Sequence, residues 1–171
     1  MKKYELTAEF IEKWGKKLFR IKALISFGSV EAGELGGYVE KEDNLAQDGD
    51  AWVCDDAWVY DDAEVYGDAE VYGNARVCGN ARVYGDADYL LIGRIGSRFS
   101  FTTFFKNKDK GITVSCGCFL GTIAEFRAKV TDTHGNNKHA KIYNLAADMA
   151  ELQILGEEHF DKLNTNKSET F

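Results

Sequence analysis

Proline is absent from this 171-residue chain, so no strand need lose a ladder hydrogen bond to it. Only four cysteines occur, Cys54, Cys78, Cys116 and Cys118, too few and too irregularly spaced for a disulfide framework, which fits a reducing compartment. No apolar run approaches the roughly 18 to 20 residues that span a bilayer. The opening, MKKYELTAEFIEKWGKK, begins with two lysines but has neither an apolar core nor a small-residue cleavage site. A cytoplasmic protein without membrane contact is expected. Histidine is scarce as well: His134, His139 and His159 all lie near the C-terminus.

Charge is present in quantity but unevenly. The net charge of −7 resolves into +2 over residues 1–36, −11 over residues 37–90 (14 acidic groups against 3 basic) and +2 over residues 91–171. A surface as acidic as the middle segment repels phosphate backbones, so nucleic acid is not an expected partner.

The acidic segment is also periodic. From Gly49 to Leu90 one six-residue unit runs seven times: GDAWVC, DDAWVY, DDAEVY, GDAEVY, GNARVC, GNARVY, GDADYL. Within each unit Ala-x-Val-Tyr reads as a short strand with alanine and valine on one face, and Gly/Asp-Asp/Asn reads as a corner. The pattern continues backward through GYVEKE and DNLAQD, with Val39 and Leu45 at the alanine position.

This pattern resembles the hexapeptide-repeat family of left-handed β-helices. The resemblance implies three hexads to a coil of 18 residues, with Val53, Val59, Val65, Val71, Val77 and Val83 filling the interior and Ala51, Ala57, Ala63, Ala69, Ala75, Ala81 and Ala87 in the tight corners. The expected fold is therefore mainly β with C-terminal α: a short left-handed parallel β-helix (37–90), an N-terminal β cap (1–36), and a C-terminal β-hairpin plus two helices (91–171). Three coils stand only about 14 Å tall and need caps and partners.

Residues 18 apart should stack. Glu64 is expected over Arg82, Trp58 over Arg76 and Tyr66 over Tyr84, with Asp50, Asp68 and Asp86 in a column. That column could hold Ca²⁺, but aspartate is also the residue that corners favour for backbone reasons, and no metal is expected. Alternation places Trp52 and Trp58 outside, beside Tyr60 and Tyr66. Exposed aromatics are typical of interface centres, so these four are the expected contacts of a homodimer or homotrimer. Cover by the N-terminal segment is the alternative.

Past Leu90 the hexads stop. Residues 98–106 (RFSFTTFFK) and 111–118 (GITVSCGC) read as a hairpin with Ile112, Val114 and Cys116 on one face. Thr122 and Glu125 form a capping box that opens a helix carrying Ile123, Phe126 and Val130 to the His134–Gly135 turn. A second helix is expected over 137–155 with Ile142, Leu145, Ala146, Met149 and Leu152 inward, stopped by Gly156 and followed by a polar tail to Phe171. The segments GSRFSFTTFF and CGCFLGT, with RIKAL, GELGGYVE and NLA ahead of the hexads, resemble small proteins carried by bacteriophages and prophages. That likeness implies a mobile genetic element and assigns no catalytic residue.

Hexapeptide proteins often transfer acyl groups with a histidine base near the coil, yet the hexads contain no histidine. Cys116 and Cys118, with His134 or His139, lack the usual zinc spacing and read as small hydrophobes. Gly96-Ser97-Arg98 with Thr102 and Thr103 is the best anion-binding candidate, since a glycine admits close approach, hydroxyls donate and arginine grips phosphate. Its competitor is a structural Arg98 paired with a helix carboxylate. The sequence thus points to an oligomeric, non-enzymatic binding protein of phage type. It would inhibit a host defence system by binding a protein or sequestering a nucleotide signal through Arg94, Ser97, Arg98, Thr102 and Thr103, with no cofactor. An acyltransferase and a purely structural assembly module are the alternatives.

Overall fold

The computed structural model describes residues 1–168. They divide into two compact units, Met1–Asp86 and a second that begins at Ala87, so the division falls inside the last hexad.

In the first unit, strands β1 (Tyr4–Lys13) and β2 (Lys16–Ala23) form an antiparallel hairpin. Its two turn residues, Trp14 and Gly15, both have positive φ (52° and 75°), the backbone that a two-residue hairpin turn requires. Strand β3 (Leu35–Val39) pairs antiparallel with β2. The hexads then supply six strands of two residues each: β4 (Trp52–Val53), β5 (Trp58–Val59), β6 (Glu64–Val65), β7 (Glu70–Val71), β8 (Arg76–Val77) and β9 (Arg82–Val83). These pair parallel with partners 18 residues on: Trp52 with Glu70, Trp58 with Arg76, Glu64 with Arg82.

The expected fold class needs correction. In place of a parallel β-helix with an added cap, the strands form several short, separate sheets. One is a five-stranded mixed sheet, β1-β2-β3-β5-β8, and two are two-stranded, β4-β7 and β6-β9. The physical reason lies in strand length. Each hexad commits only two residues to pairing, and the N-terminal segment enters the same sheet antiparallel through β3, supplying three of its five strands. The backward register is corrected too. Val39 pairs with Val59 and Leu45 with Val65, an offset of 20 residues, so both take the valine position.

The interior is nonetheless the one the period describes. All six hexad valines from Val53 to Val83 are fully buried, as are the alanines from Ala51 to Ala81, whereas Ala87 is exposed. Aspartates at the corners tie layers together. Asp55 Oδ2 accepts the Gly73 N–H at 3.1 Å, and Asp61 Oδ2 accepts that of Gly79 at 3.2 Å, each 18 residues on.

The second unit has a four-stranded antiparallel meander where a hairpin was expected: β10 (Tyr89–Ile95), β11 (Ser100–Lys106), β12 (Ile112–Cys116) and β13 (Phe119–Thr122). Three helices follow instead of two, α1 (Ile123–His134), α2 (Lys138–Leu155) and α3 (Glu157–Ser168). The polar tail is thus helical to Ser168; the last three residues of the expected tail lie outside those described. The capping box forms as read, with the Thr122 hydroxyl accepting the Glu125 N–H and the Glu125 carboxylate accepting the Thr122 N–H. Ile112 and Val114 are buried against Phe104, Phe126 and Val130.

Helix α2 faces the core with small residues rather than the large ones expected. Ala140, Tyr143, Ala146, Ala147, Ala150 and Ile154 are buried; Leu145, Met149 and Leu152 are 65%, 53% and 44% exposed. Alanines let the helix approach closely, and Tyr143 fills the remaining space edge-on to Phe126. Beside it, the half-buried Arg127 donates to Asp148 at 2.8 Å and to the buried Glu151 at 2.7 Å.

Val71→Asp would place a carboxylate among the buried valines without a partner. A loss of about 3 kcal/mol or more is expected, read as a sharp fall in the thermal melting temperature. Melting unchanged from the parent would contradict the register.

Candidate functional site

The hairpin turn between β10 and β11 is shaped by one glycine. Gly96 has φ +73°, and a Cβ there would collide with the phenol of Tyr143, so the close approach that glycine permits is to this side chain of α2. Tyr143 is buried and stacks on His134 (centroids 5.8 Å apart, 27° between planes). Its hydroxyl is pushed up from the ordinary tyrosine range by burial first and by Cys116 second, with Arg98 acting in the opposite sense.

Around Tyr143 lies a cavity of about 210 Å³. Ser97 and Arg98 of the β10–β11 turn and Ser100 of β11 line one side with residues 116–119 around the next turn; Phe126, Lys129, Val130, Thr133 and His134 of α1 line the other. Hydroxyls, thiols, an imidazole and two cations thus face a floor of aromatic and aliphatic groups. Such a set suits a small anion carrying an apolar part.

The sequence-derived residues divide. Ser97 and Arg98 are exposed and line the cavity. Among the described residues Arg98 makes no ion pair, so the helix-carboxylate role falls to Arg127 instead. Arg94 is exposed but does not line the cavity. Thr102 and Thr103 are buried in β11, where the Thr102 hydroxyl donates to Cys116 Sγ at 3.2 Å, so neither offers a donor at the surface. Sequence reasoning missed Ser100, Lys129, Thr133 and Tyr143. The capping box could have located two of them: with Phe126 and Val130 inward, Lys129 and Thr133 fall on the adjoining flank.

A larger cavity of about 490 Å³ lies along α1 and α2, lined by Lys141, Asn144, Leu145 and Asp148 among others. Its acid, Asp148, is engaged by Arg127, as is Asn144. His134 and His139 are neighbours, with ring centroids 5.7 Å apart. Among the described residues no three of His, Cys, Asp and Glu gather as a metal-binding group.

The four aromatics assigned to an oligomer interface lie in the first unit. Trp52 is fully buried rather than exposed, edge-on to Tyr4 and Phe27 of the N-terminal segment. Trp58 is half-buried beneath the Arg76 guanidinium, 4.6 Å from its ring, and edge-on to Trp14. Tyr60 is buried against Trp14. Tyr66 packs edge-on to Tyr84. The N-terminal segment covers the first three, with Tyr4 and Phe27 packed on Trp52 and Trp14 of the hairpin tip on Trp58 and Tyr60, a placement that no local pattern announces. The expected pair Glu64–Arg82 is present at 3.1 Å.

No protein-family model matches the chain, and a search of curated proteins gives no match either.

Gly96→Ala should lower stability by about 2 kcal/mol or more, because it combines a disfavoured φ with a clash against the Tyr143 phenol. Thermal melting measures it. An unchanged melting temperature would mean that Tyr143 does not hold the turn.

Proposed function

We propose that this chain is a non-enzymatic binding protein of the phage type its sequence resembles. It would act in the host cytoplasm by holding a small anionic ligand, a nucleotide signal of host defence being the leading class. The observation that carries this reading is Arg98: exposed, without an ion pair among the described residues, and lining an aromatic-floored cavity with Lys129, Ser97 and Thr133. A volume of 210 Å³ lies below the roughly 300–1,000 Å³ of pockets for drug-sized molecules, so a single phosphate-bearing group or ring is the scale of what it would enclose. Charge supports the assignment, because the 14 acidic groups of residues 37–90 disfavour an anion there. No helix among the described residues is long and apolar enough to cross a membrane. Acyl transfer gains nothing here, since the hexads lack histidine.

Calorimetric titration with adenine and guanine mononucleotides and their cyclic forms tests this reading. Arg98→Ala should weaken binding by more than about tenfold, the scale of one charge-assisted hydrogen bond, with melting unchanged. A lower melting temperature with unchanged binding would make Arg98 structural. Absence of binding by every nucleotide would favour the assembly-module alternative.

Self-association as a dimer or trimer is part of the same proposal. The surface that supports it is now the stripe Leu145, Met149, Leu152 on α2, since Trp52, Trp58 and Tyr60 are covered within the first unit. Light scattering on a sizing column should give two or three times the 19.1 kDa chain mass, and Leu145→Asp with Met149→Asp should reduce it to one. A parent protein that is monomeric at every concentration would overturn it.

A further inference from the structure

Two hairpin turns of this chain hold an aromatic residue in the left-handed backbone region that bulky side chains disfavour: Trp14 with φ 52° and Phe99 with φ 48°. Both rings are exposed. Strain of this kind gathers where a side chain has a task, and Trp14 has one, since its ring meets those of Trp58 and Tyr60 at 5.8 Å and the Arg76 guanidinium at 5.7 Å. Phe99 is 70% exposed and meets no other ring among the described residues. Its place in the fold says where a partner would lie. It ends the four-residue turn that the pairing of Ile95 with Ser100 closes, and its chain neighbours Arg98 and Ser100 both line the 210 Å³ cavity, which its own ring does not. The turn is fixed at one end only. Gly96 is locked against the Tyr143 phenol, whereas the Phe99 N–H reaches Gly96 O at 3.4 Å, long against the usual distance of about 2.9 to 3.0 Å.

We propose that Phe99 is the specificity-determining residue of this site: it stacks on the aromatic base of a nucleotide whose phosphate lies in the cavity near Arg98. The inference rests on the nucleotide reading above and adds what separates a nucleotide from any other phosphate ester. A cavity of 210 Å³ takes a phosphate or a ring but not a whole nucleotide, so the rest of the ligand lies outside it, at the turn that carries Phe99. Every base has a π-face. Stacking on one phenyl ring therefore favours nucleotides over sugar phosphates while choosing little among the bases. The same contact accounts for an aromatic at a backbone position that glycine would occupy without strain.

The test titrates the full chain calorimetrically with adenosine 5′-monophosphate and, separately, with ribose 5-phosphate, which has the same phosphate and sugar without the base. The parent should bind the nucleotide about tenfold more tightly. Phe99→Gly and Phe99→Leu should each remove that preference by weakening the nucleotide alone, and Phe99→Trp should keep it, with indole fluorescence that the nucleotide quenches and the sugar phosphate does not. Phe99→Gly should melt at or above the parent temperature, because glycine accepts the positive φ. Equal affinity of the parent for the two ligands would overturn the proposal. So would a Phe99→Gly protein that melts lower and loses both ligands alike, since the ring would then be structural. Failure of the parent to bind either ligand removes the nucleotide reading and this inference with it, whereas nucleotide binding that Phe99→Gly leaves intact removes only this inference.

Discussion

Backbone hydrogen bonds that tie each hexad to the hexad three units later are the constraint on which the first unit depends. Trp52 N–H donates to Ala69 O at 3.0 Å, Cys54 N–H to Val71 O at 2.7 Å, Trp58 N–H to Ala75 O at 2.9 Å and Tyr66 N–H to Val83 O at 3.0 Å. Strands of two residues cannot hold a register by themselves. Valine at the same place in every hexad does so, because a slip of one residue would exchange the buried valine for an outward neighbour. Each corner must then bring the chain round within a few residues. Glycine or aspartate with positive φ, as at Gly67, Gly73, Asp55 and Asp61, makes that turn. The same aspartate carboxylates accept N–H groups from the next layer, so composition, turn and ladder are one solution.

A ladder that repeats must also begin, and its first carbonyls have no earlier hexad to receive from. Side chains that precede the seven hexads, Lys3, Tyr4 and Asn44, meet this need. Lys3 is buried, with its ammonium donating to Ala51 O at 2.8 Å and lying within 3.4 Å of Asp48 O and 3.3 Å of Gly49 O. Burial holds its pKa below the ordinary lysine range against the pull of Asp48 and Asp50. The Tyr4 hydroxyl lies 2.8 Å from the carbonyls of both Glu42 and Leu45, and the Asn44 amide donates to Asp61 O and Ala63 O. An unsatisfied buried carbonyl costs about 1 to 3 kcal/mol, which is why polar side chains appear at the bottom of an apolar stack.

These side chains mark where the sequence stops being legible. Val53 to Val83 could be placed from the period alone, because their environment repeats. The capping box at Thr122 and Glu125 could be placed because both partners lie within four residues. Trp52 could not, since its cover comes from Tyr4 and Phe27, which are distant in the chain and follow no shared pattern. Alternation said which way its strand pointed it, and long-range packing decided what met it there. The large apolar residues of α2 were misplaced for a related reason: hydrophobicity ranks leucine over alanine, whereas the space between a helix and a sheet can favour the smaller side chain. The cavity was half visible. Ser97 and Arg98 belong to a local turn, but Lys129, Thr133 and Tyr143 join them only through the packing of two helices onto the meander.

The division of charge between the two units gives the binding proposal its direction. Residues 37–90 concentrate carboxylates because corners select aspartate for backbone reasons, so the acidity of that segment is a by-product of its geometry. The second unit has no such requirement. Its helices satisfy their ends with Thr122, Asn137 and glycines, and its buried acid Glu151 is balanced by Arg127. At the β10–β11 turn Arg98 makes no ion pair among the described residues, whereas Lys129 on α1 lies 3.5 Å from Asp132. A guanidinium without a structural partner, held beside hydroxyls and over aromatic rings, has its favourable electrostatic interactions still to make. On the proposed reading an anion from solution would supply them, and the acidity of the hexads works against the same anion binding there.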